Sequence, residues 1–306
     1  KVEKPGFINI YFSNTFNKLV LEDILKGDNA YWDSTALKGQ TWVIEHTSPN
    51  PNKAMHLGHL RNNLIGMGLS RLLEARGATV VRDAIYNDRG IAIAKLMWGY
   101  LAHMRATSEA EPNIQYWTQN KDKWHSPESL SIPADIFVSR CYVMGEADTK
   151  SSPETDQLVR GMVLDWENQD ANTLELWRAV LAYSYEGINK TLSRLGNKWD
   201  NIWYEHEHYK AGKEYVEAGL EKGIFKRLDD GAVLTNLESY KLPDTILLKN
   251  DGSSLYITQD IALTDLKKKK WNADRLIWVI GPDQSNAMRQ LYAVCEQLGI
   301  GKISDF

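Results

Sequence analysis

The run Ser48-Pro49-Asn50-Pro51-Asn52-Lys53-Ala54-Met55 leads into two histidines that flank a glycine, His56-Leu57-Gly58-His59. Imidazole N–H groups this close together can donate to phosphate oxygens as negative charge builds on them in a transition state. A helix starting here adds free backbone N–H groups and the positive end of its dipole, so a nucleotide phosphate is the expected ligand. Gly58 has no side chain and leaves a flat adenine ring room to lie against the backbone. Lys53 brings a point charge to the same phosphates. Alone, such a string is more often a surface pair of histidines than a site, and it gains meaning only from the elements around it.

A second set of residues carries carboxylates. Tyr256 and Asp260 are four apart where a strand is predicted to give way to a helix, a spacing that lets their side chains converge. A phenol and a carboxylate at a sheet edge suit a guanidinium or ammonium group. The bland alternative is a core tyrosine and a surface aspartate. Glu205-His206-Glu207-His208 alternates acids and imidazoles, which on a strand puts two potential ligands on each face. Two ligands per face are too few for a closed metal site, so no metal is assigned. A solvated strand edge with one glutamate lent to a pocket is the better reading.

The elements that must position these residues form an α/β pattern. Gln40-Thr41-Trp42-Val43-Ile44-Glu45 is predicted as a short buried strand. Leu57, Leu60, Leu64 and Met67 follow a helical period, Gly77 ends that helix, and Ala78-Thr79-Val80-Val81-Arg82 begins the next strand. This is one βαβ unit with the histidine loop at the carboxyl edge of a parallel sheet. An apolar helix is predicted from Ile91 to His103, and residues 105–135 turn polar, with Pro112, Pro127 and Pro133. Ser151-Ser152-Pro153-Glu154 is a capping signal that opens a helical stretch to Gly196, with Trp177, Leu181, Ile188, Leu192 and Leu195 near one face. Residues 245–249 and 254–257 flank Asn250-Asp251-Gly252-Ser253 as a predicted hairpin. A helix from about Thr258 to Lys270, the strand Arg275-Leu276-Ile277-Trp278-Val279-Ile280 and a helix to Leu298 complete the order of a doubly wound parallel sheet.

Composition is that of an ordinary globular chain: 306 residues, 43% hydrophobic, 25% charged, with room for about two domains. No apolar run approaches the ~18 residues that span a bilayer, and no signal-peptide core is seen, so a cytoplasmic location without membrane attachment is expected. Cys141 and Cys295 have no neighbours at ligand or disulfide spacing. A net charge of -4 argues against binding nucleic acid through bulk charge. The run Lys267-Lys268-Lys269-Lys270 ends a predicted helix, where it is expected to satisfy the dipole and solvent more than to bind phosphates.

Taken together these residues resemble the catalytic domain of arginyl-tRNA synthetases, class I aminoacyl-tRNA synthetases with a Rossmann-like, HIGH-type fold. The match is carried by Glu45-His46-Thr47-Ser48-Pro49-Asn50-Pro51-Asn52-Lys53-Ala54-Met55-His56-Leu57-Gly58-His59-Leu60-Arg61-Asn62, Asn87-Asp88-Arg89-Gly90, Ser254-Leu255-Tyr256-Ile257-Thr258-Gln259-Asp260-Ile261-Ala262 and Trp278-Val279-Ile280-Gly281-Pro282-Asp283-Gln284. The resemblance implies activation of L-arginine by ATP, accompanied by Mg2+, to arginyl-adenylate, then transfer to the terminal adenosine of the cognate tRNA(Arg). It implies that His56 and His59 stabilise the phosphates and Gly58 accommodates adenine. Ser48, Asn50 and Gln284 then hold the α-amino and carboxylate end of arginine. Tyr256, Asp260 and Glu205 bind the guanidinium, with Glu45 lining the same pocket. Proteins of this family generally need tRNA present even for activation.

The same resemblance divides the chain into residues 1–35, a remnant of an N-terminal tRNA-contacting domain whose closing segment Pro5-Gly6-Phe7-Ile8-Asn9 resembles; 36–104, the first half of the catalytic domain; 105–198, a mostly helical insertion; and 199–306, the second half. A KMSKS-type loop and an anticodon-binding domain are expected after Phe306, and the chain is expected as a monomer. Two departures stand out: Ala287 occupies a place where the family commonly has histidine, and Lys53 stands where a lysine accompanies loss of the KMSKS lysine. Two other functions remain open at this point: a non-catalytic module that binds arginine or tRNA, and a smaller HxGH nucleotidyltransferase that makes a dinucleotide cofactor.

Overall fold

A computed structural model describes the backbone of residues 2–3 and all of residues 6–27 and 33–306. At the start, β1 (Val2–Glu3) pairs antiparallel with β2 (Phe7–Ile8), and α1 (Asn14–Gly27) follows with no buried residue. Pro5, within the segment likened to the N-terminal domain, lies outside the described residues.

The βαβ unit forms as expected: β3 (Thr41–His46), α2 (Leu57–Ala75) and β4 (Thr79–Tyr86), then α3 (Ile91–His103). The strands are parallel, with Glu45 in register with Asp83. Only part of the apolar stripe read from the sequence of α2 packs, Met67 and in part Leu60. Leu57 is 80% exposed and Leu64 60%, while Asn63, Gly66, Met67, Ser70 and Leu73 are buried. The inward face is chosen by close approach to β3, where a Cβ on Gly66 would lie 2.3 Å from the His46 ring.

Four helices build the insertion: α4 (Ile114–Gln119), α5 (Ala134–Ser151), α6 (Pro153–Glu167) and α7 (Ala171–Arg194). Ser152 caps α6, its hydroxyl accepting from the Thr155 N–H at 3.1 Å, with Pro153 at the first helical position. Helical structure starts earlier than that signal, at Ile114 in α4, and the long helix α5 from Ala134 packs Phe137, Val138 and Cys141 against Ile93, Leu96 and Met97 of α3. Trp177, Leu181, Ile188 and Leu192 are buried along α7.

After the insertion come β5 (Asn201–Tyr204), α8 (Glu205–His208), α9 (Gly212–Glu221), β6 (Phe225–Arg227), β7 (Val233–Thr235), β8 (Thr245–Leu248), α10 (Tyr256–Trp271), β9 (Arg275–Val279) and α11 (Ser285–Gln297). The parallel sheet has the order β5-β4-β3-β9. Chain order therefore reverses direction between β3 and β9, the topological switch point at which α/β sheets bind ligands. Val43 and Val81 pack toward the α10 end of the molecule with Trp271, whereas Ile44 packs with Leu69 and Leu73 of α2, so the sheet is covered on both faces.

Three expectations for this half are corrected. Strand β8 belongs to a separate antiparallel sheet, β6-β7-β8, and not to the parallel one. The turn at Asp251-Gly252 forms, but residues 254–257 make only the bridge Leu248↔Ser254 before α10 begins at Tyr256. The Thr258 hydroxyl donates to the Leu247 carbonyl at 2.5 Å, which draws the chain into the helix before a second strand can extend. Glu205-His206-Glu207-His208 is one helical turn and not a strand edge, because the buried Asp88 carboxylate accepts from both the His206 N–H at 3.0 Å and its ring Nδ1 at 2.6 Å.

Candidate active site

Every candidate residue except Tyr256, Asp260 and those on α2 lies at the end of a parallel strand or in the loop that leaves it. Loop 47–56 leaves β3 through two strained residues, Thr47 at φ 72 and Ser48 at φ 32. Left-handed backbone at a threonine costs free energy and persists only where surroundings impose it. Here the Ser48 hydroxyl accepts from the Ile85 N–H at 3.2 Å and donates to Glu45 Oε1 at 3.2 Å. Further along, Asn50 Oδ1 accepts from Asn87 at 3.4 Å and the Pro51 carbonyl accepts from the Ser184 hydroxyl of α7. The insertion thus braces the loop from outside.

At the N-terminus of α2 the two imidazoles interlock. His56 is the N-cap: its Nδ1 accepts from the Gly58 N–H at 3.1 Å, and His59 Nδ1 accepts from the His56 N–H at 3.1 Å. One helix N–H expected to face phosphate is therefore satisfied by the cap. The same bonds fix the chemistry of the rings. Each neutral imidazole that accepts at Nδ1 carries its proton on Nε2, so both present an Nε2–H donor. Burial and the neighbouring His56 hold the His59 pKa below its usual value, which keeps that ring neutral. The ring centroids are 4.1 Å apart. Gly58 has a second role besides room for adenine: a Cβ there would lie 2.8 Å from His56 Cε1 and push the capping ring away.

Lys53 belongs to the loop that leads to these histidines. It is exposed, with its ammonium 5.3 Å from the Tyr142 ring of the insertion. Gln284 is exposed on the short turn Pro282–Gln284 after β9, and Tyr256 is 80% exposed in the first turn of α10. Tyr256 and Asp260 share a helix but not an environment, since Asp260 is mostly covered.

The acids do come together. Burial pushes the Asp260 carboxyl up to about 7, with the charges of Glu45 and Glu205 raising it and Lys267 lowering it. Burial likewise pushes Glu205 up to about 7, against the pull of Arg89, and Asp88 raises it further. Arg89 holds Glu205 only loosely at 3.7 Å, because its guanidinium also pairs with Glu167 at 2.5 Å and stacks on Tyr209 at 3.9 Å. Among the described residues, the Asp260 carboxylate has no hydrogen-bond or ion-pair partner. Two largely covered acids with raised pKa values, one of them met only by a long contact to Arg89, favour a cationic ligand. Among the described residues no group of three or more His, Cys, Asp or Glu side chains is placed to hold a metal ion. No helix of the described residues is long and apolar enough to cross a membrane.

The profile of the family described as "tRNA synthetases class I (R), catalytic domain" matches residues 20–304. The chain belongs to this family. A Treponema denticola protein named arginine–tRNA ligase is 36% identical over 282 residues, which cover 92% of this chain and 45% of that protein. A Borreliella afzelii protein of the same name is 32% identical over 299 residues, covering 95% and 47%. The solved arginyl-tRNA synthetase of Plasmodium falciparum shares the fold at a TM-score of 0.72 and 17% identity, over 100% of this chain and 50% of that one. The Thermus thermophilus arginyl-tRNA synthetase superposes at 0.64 with 19% identity, over 94% and 50%. The chain spans about half the length of the curated relatives it matches.

Sequence reasoning about this class I synthetase domain underrated two residues. Asp88 appears only inside a quoted motif, yet it is fully buried and organises the turn that carries Glu205. Lys267, which the sequence pattern gives to solvent and the helix dipole, is 1% exposed and in ion pairs with Glu45 and Asp83. The rest of the run fits the solubility reading better: Lys268 pairs with Asp305, Lys269 with Asp265, and Lys270 donates to Asn201.

Proposed function

We propose that these residues form the catalytic domain of an arginine–tRNA ligase, which activates L-arginine with ATP to arginyl-adenylate and passes it to the terminal adenosine of tRNA(Arg). The observation that carries this reading is the pair Asp260 and Glu205, each pushed up to about 7 by burial, with Glu205 met only at 3.7 Å by Arg89. A guanidinium is the permanent cation whose planar fork of donors answers two carboxylates at once, and lysine's ammonium cannot match that geometry. Tyr256 closes over the same group from the first turn of α10, with Glu45 along the wall. Ser48, Asn50 and Gln284 hold the α-amino and carboxylate end, which sets the arginine carboxylate toward the α2 N-terminus.

There the Nε2–H donors of His56 and His59 meet the ATP phosphates, and they bind the transition state more tightly than the ground state as charge grows on the departing pyrophosphate oxygens. Gly58 gives the adenine its place, Lys53 adds charge at the phosphates, and magnesium arrives with ATP. Residues 1–35, 105–198 and the two catalytic halves at 36–104 and 199–306 are the units of this arrangement, in a cytoplasmic monomer. The test is ATP–pyrophosphate exchange with tRNA(Arg) present. Exchange should depend on arginine and not on lysine or citrulline, and Asp260→Asn should lower kcat/KM for arginine about 100-fold or more, as losing one partner of a charged hydrogen bond does. Arginine binding with no exchange would instead favour a non-catalytic binding module.

A further inference from the structure

Two acids on neighbouring strands face the same side of the sheet beneath this site. Glu45 of β3 and Asp83 of β4 are register partners, and Asp83 is fully buried. Like charges set side by side in a sheet repel unless something answers them. Lys267 does so from α10, its ammonium 2.5 Å from Glu45 Oε2 and 3.1 Å from Asp83 Oδ2. The Trp203 indole N–H of β5 donates to Asp83 at 2.7 Å, and the Trp278 ring of β9 lies 5.9 Å from the ammonium. Lys267 thus pairs directly with β3 and β4, is linked to β5 through Asp83, and is bordered by a ring of β9. Both oxygens of Glu45 are used, Oε2 by Lys267 and Oε1 by the Ser48 hydroxyl.

The helix that supplies this cation also carries two of the proposed guanidinium ligands, Tyr256 and Asp260. Lys267 lies seven residues after Asp260, two turns along the same inward face, with the buried Thr264 between them donating to the Asp260 carbonyl at 2.7 Å. Rotation or translation of α10 moves Asp260 and Lys267 together. We infer that Lys267 is a positioning residue for the amino-acid pocket: it consumes the charge of Glu45 and Asp83 and locks α10 on the sheet, leaving Asp260 and Glu205 to meet the guanidinium. Glu45 then acts through Lys267 and Ser48 and is not itself a ligand of the substrate side chain. A pocket with both remaining acids facing one guanidinium selects arginine, whereas a third free carboxylate would reward any small cation.

This inference rests on the proposed arginine site, and the experiment separates the two. In the complete natural polypeptide, with tRNA(Arg) present, the wild type and Asp260→Asn are compared first; if exchange does not need arginine, the proposed function itself fails. Given that dependence, Lys267→Met should raise KM for arginine about tenfold or more, the scale of a misplaced binding group, with KM for ATP within about twofold. Lys267→Arg should recover most of the loss. Because Lys267→Met leaves two buried acids unpaired and lowers the folded fraction, the uncharged triple variant Lys267→Met, Glu45→Gln, Asp83→Asn serves as the control for stability. It should regain the wild-type melting temperature yet keep the raised arginine KM. Equal changes in both KM values, or full recovery of arginine KM in the triple variant, would overturn the inference.

Discussion

Asp260 and Glu205 titrate near neutral pH in the absence of arginine, so substrate binding and protonation are linked through them. A bound guanidinium favours the ionised form of both acids and pulls their pKa values down. Arginine binding should therefore release about one proton near pH 7, and affinity should rise as pH increases through that point. Calorimetry in two buffers of different ionisation enthalpy reads this directly; a binding heat independent of buffer would contradict it. Lys53 makes a separate claim at this scale. Its ammonium rests over Tyr142 at 5.3 Å and is free to swing toward phosphates when ATP arrives. Lys53→Ala should lower arginine-dependent exchange about tenfold with little change in melting temperature, and an unchanged rate would remove Lys53 from the site.

The start of α2 is the element in which local packing and chemistry are hardest to separate. His56 caps the helix, His59 caps His56, and Gly58 admits the ring that does the capping. Gly58→Ala places a methyl 2.8 Å from His56 Cε1, so the ring must turn away from the Gly58 N–H. The stability cost should be near that of a lost N-cap, about 1 kcal/mol. The rate should suffer more, on the order of 100-fold, because the Nε2–H donor leaves the line to the phosphates. Circular dichroism melts and exchange kinetics together check the pair of outcomes. A proportionate loss of both would mean that Gly58 serves only the fold.

Across the whole molecule, holding Asp260 ionised in a covered site opposes folding. The unfolded Asp260 titrates near 3.8 and the folded one near 7, so between those values the folded chain holds a proton that the unfolded chain has lost. Stability from this group is complete below the lower value and falls as pH rises through the upper one, and Glu205 acts in the same direction. At pH 8 Asp260→Asn should stabilise the unliganded protein, by on the order of 2 kcal/mol or a few degrees in melting temperature, while lowering kcat/KM for arginine about 100-fold or more. At pH 4 the gain should vanish. A variant that melts below the wild type at pH 8 would show that Asp260 is not held at a cost.

The sequence by itself determined the βαβ unit, the loop from Ser48 to His59, the insertion and the set of candidate residues, because those signals are local. Period, caps and turn residues act over a few positions, as at Ser152-Pro153 and Asp251-Gly252. It also carried the family, through motifs in a fixed order. Tertiary structure decided which face of α2 packs, since Gly66 against His46 outweighs the exposed leucines. It turned residues 205–208 into a helix through Asp88, 118 residues from His206. It also took Lys267 out of a run of four surface-like lysines and buried it on carboxylates 222 and 184 residues distant. No local pattern reports such a pairing, because the register of β3 with β4 has to exist before the two acids become neighbours that need a cation.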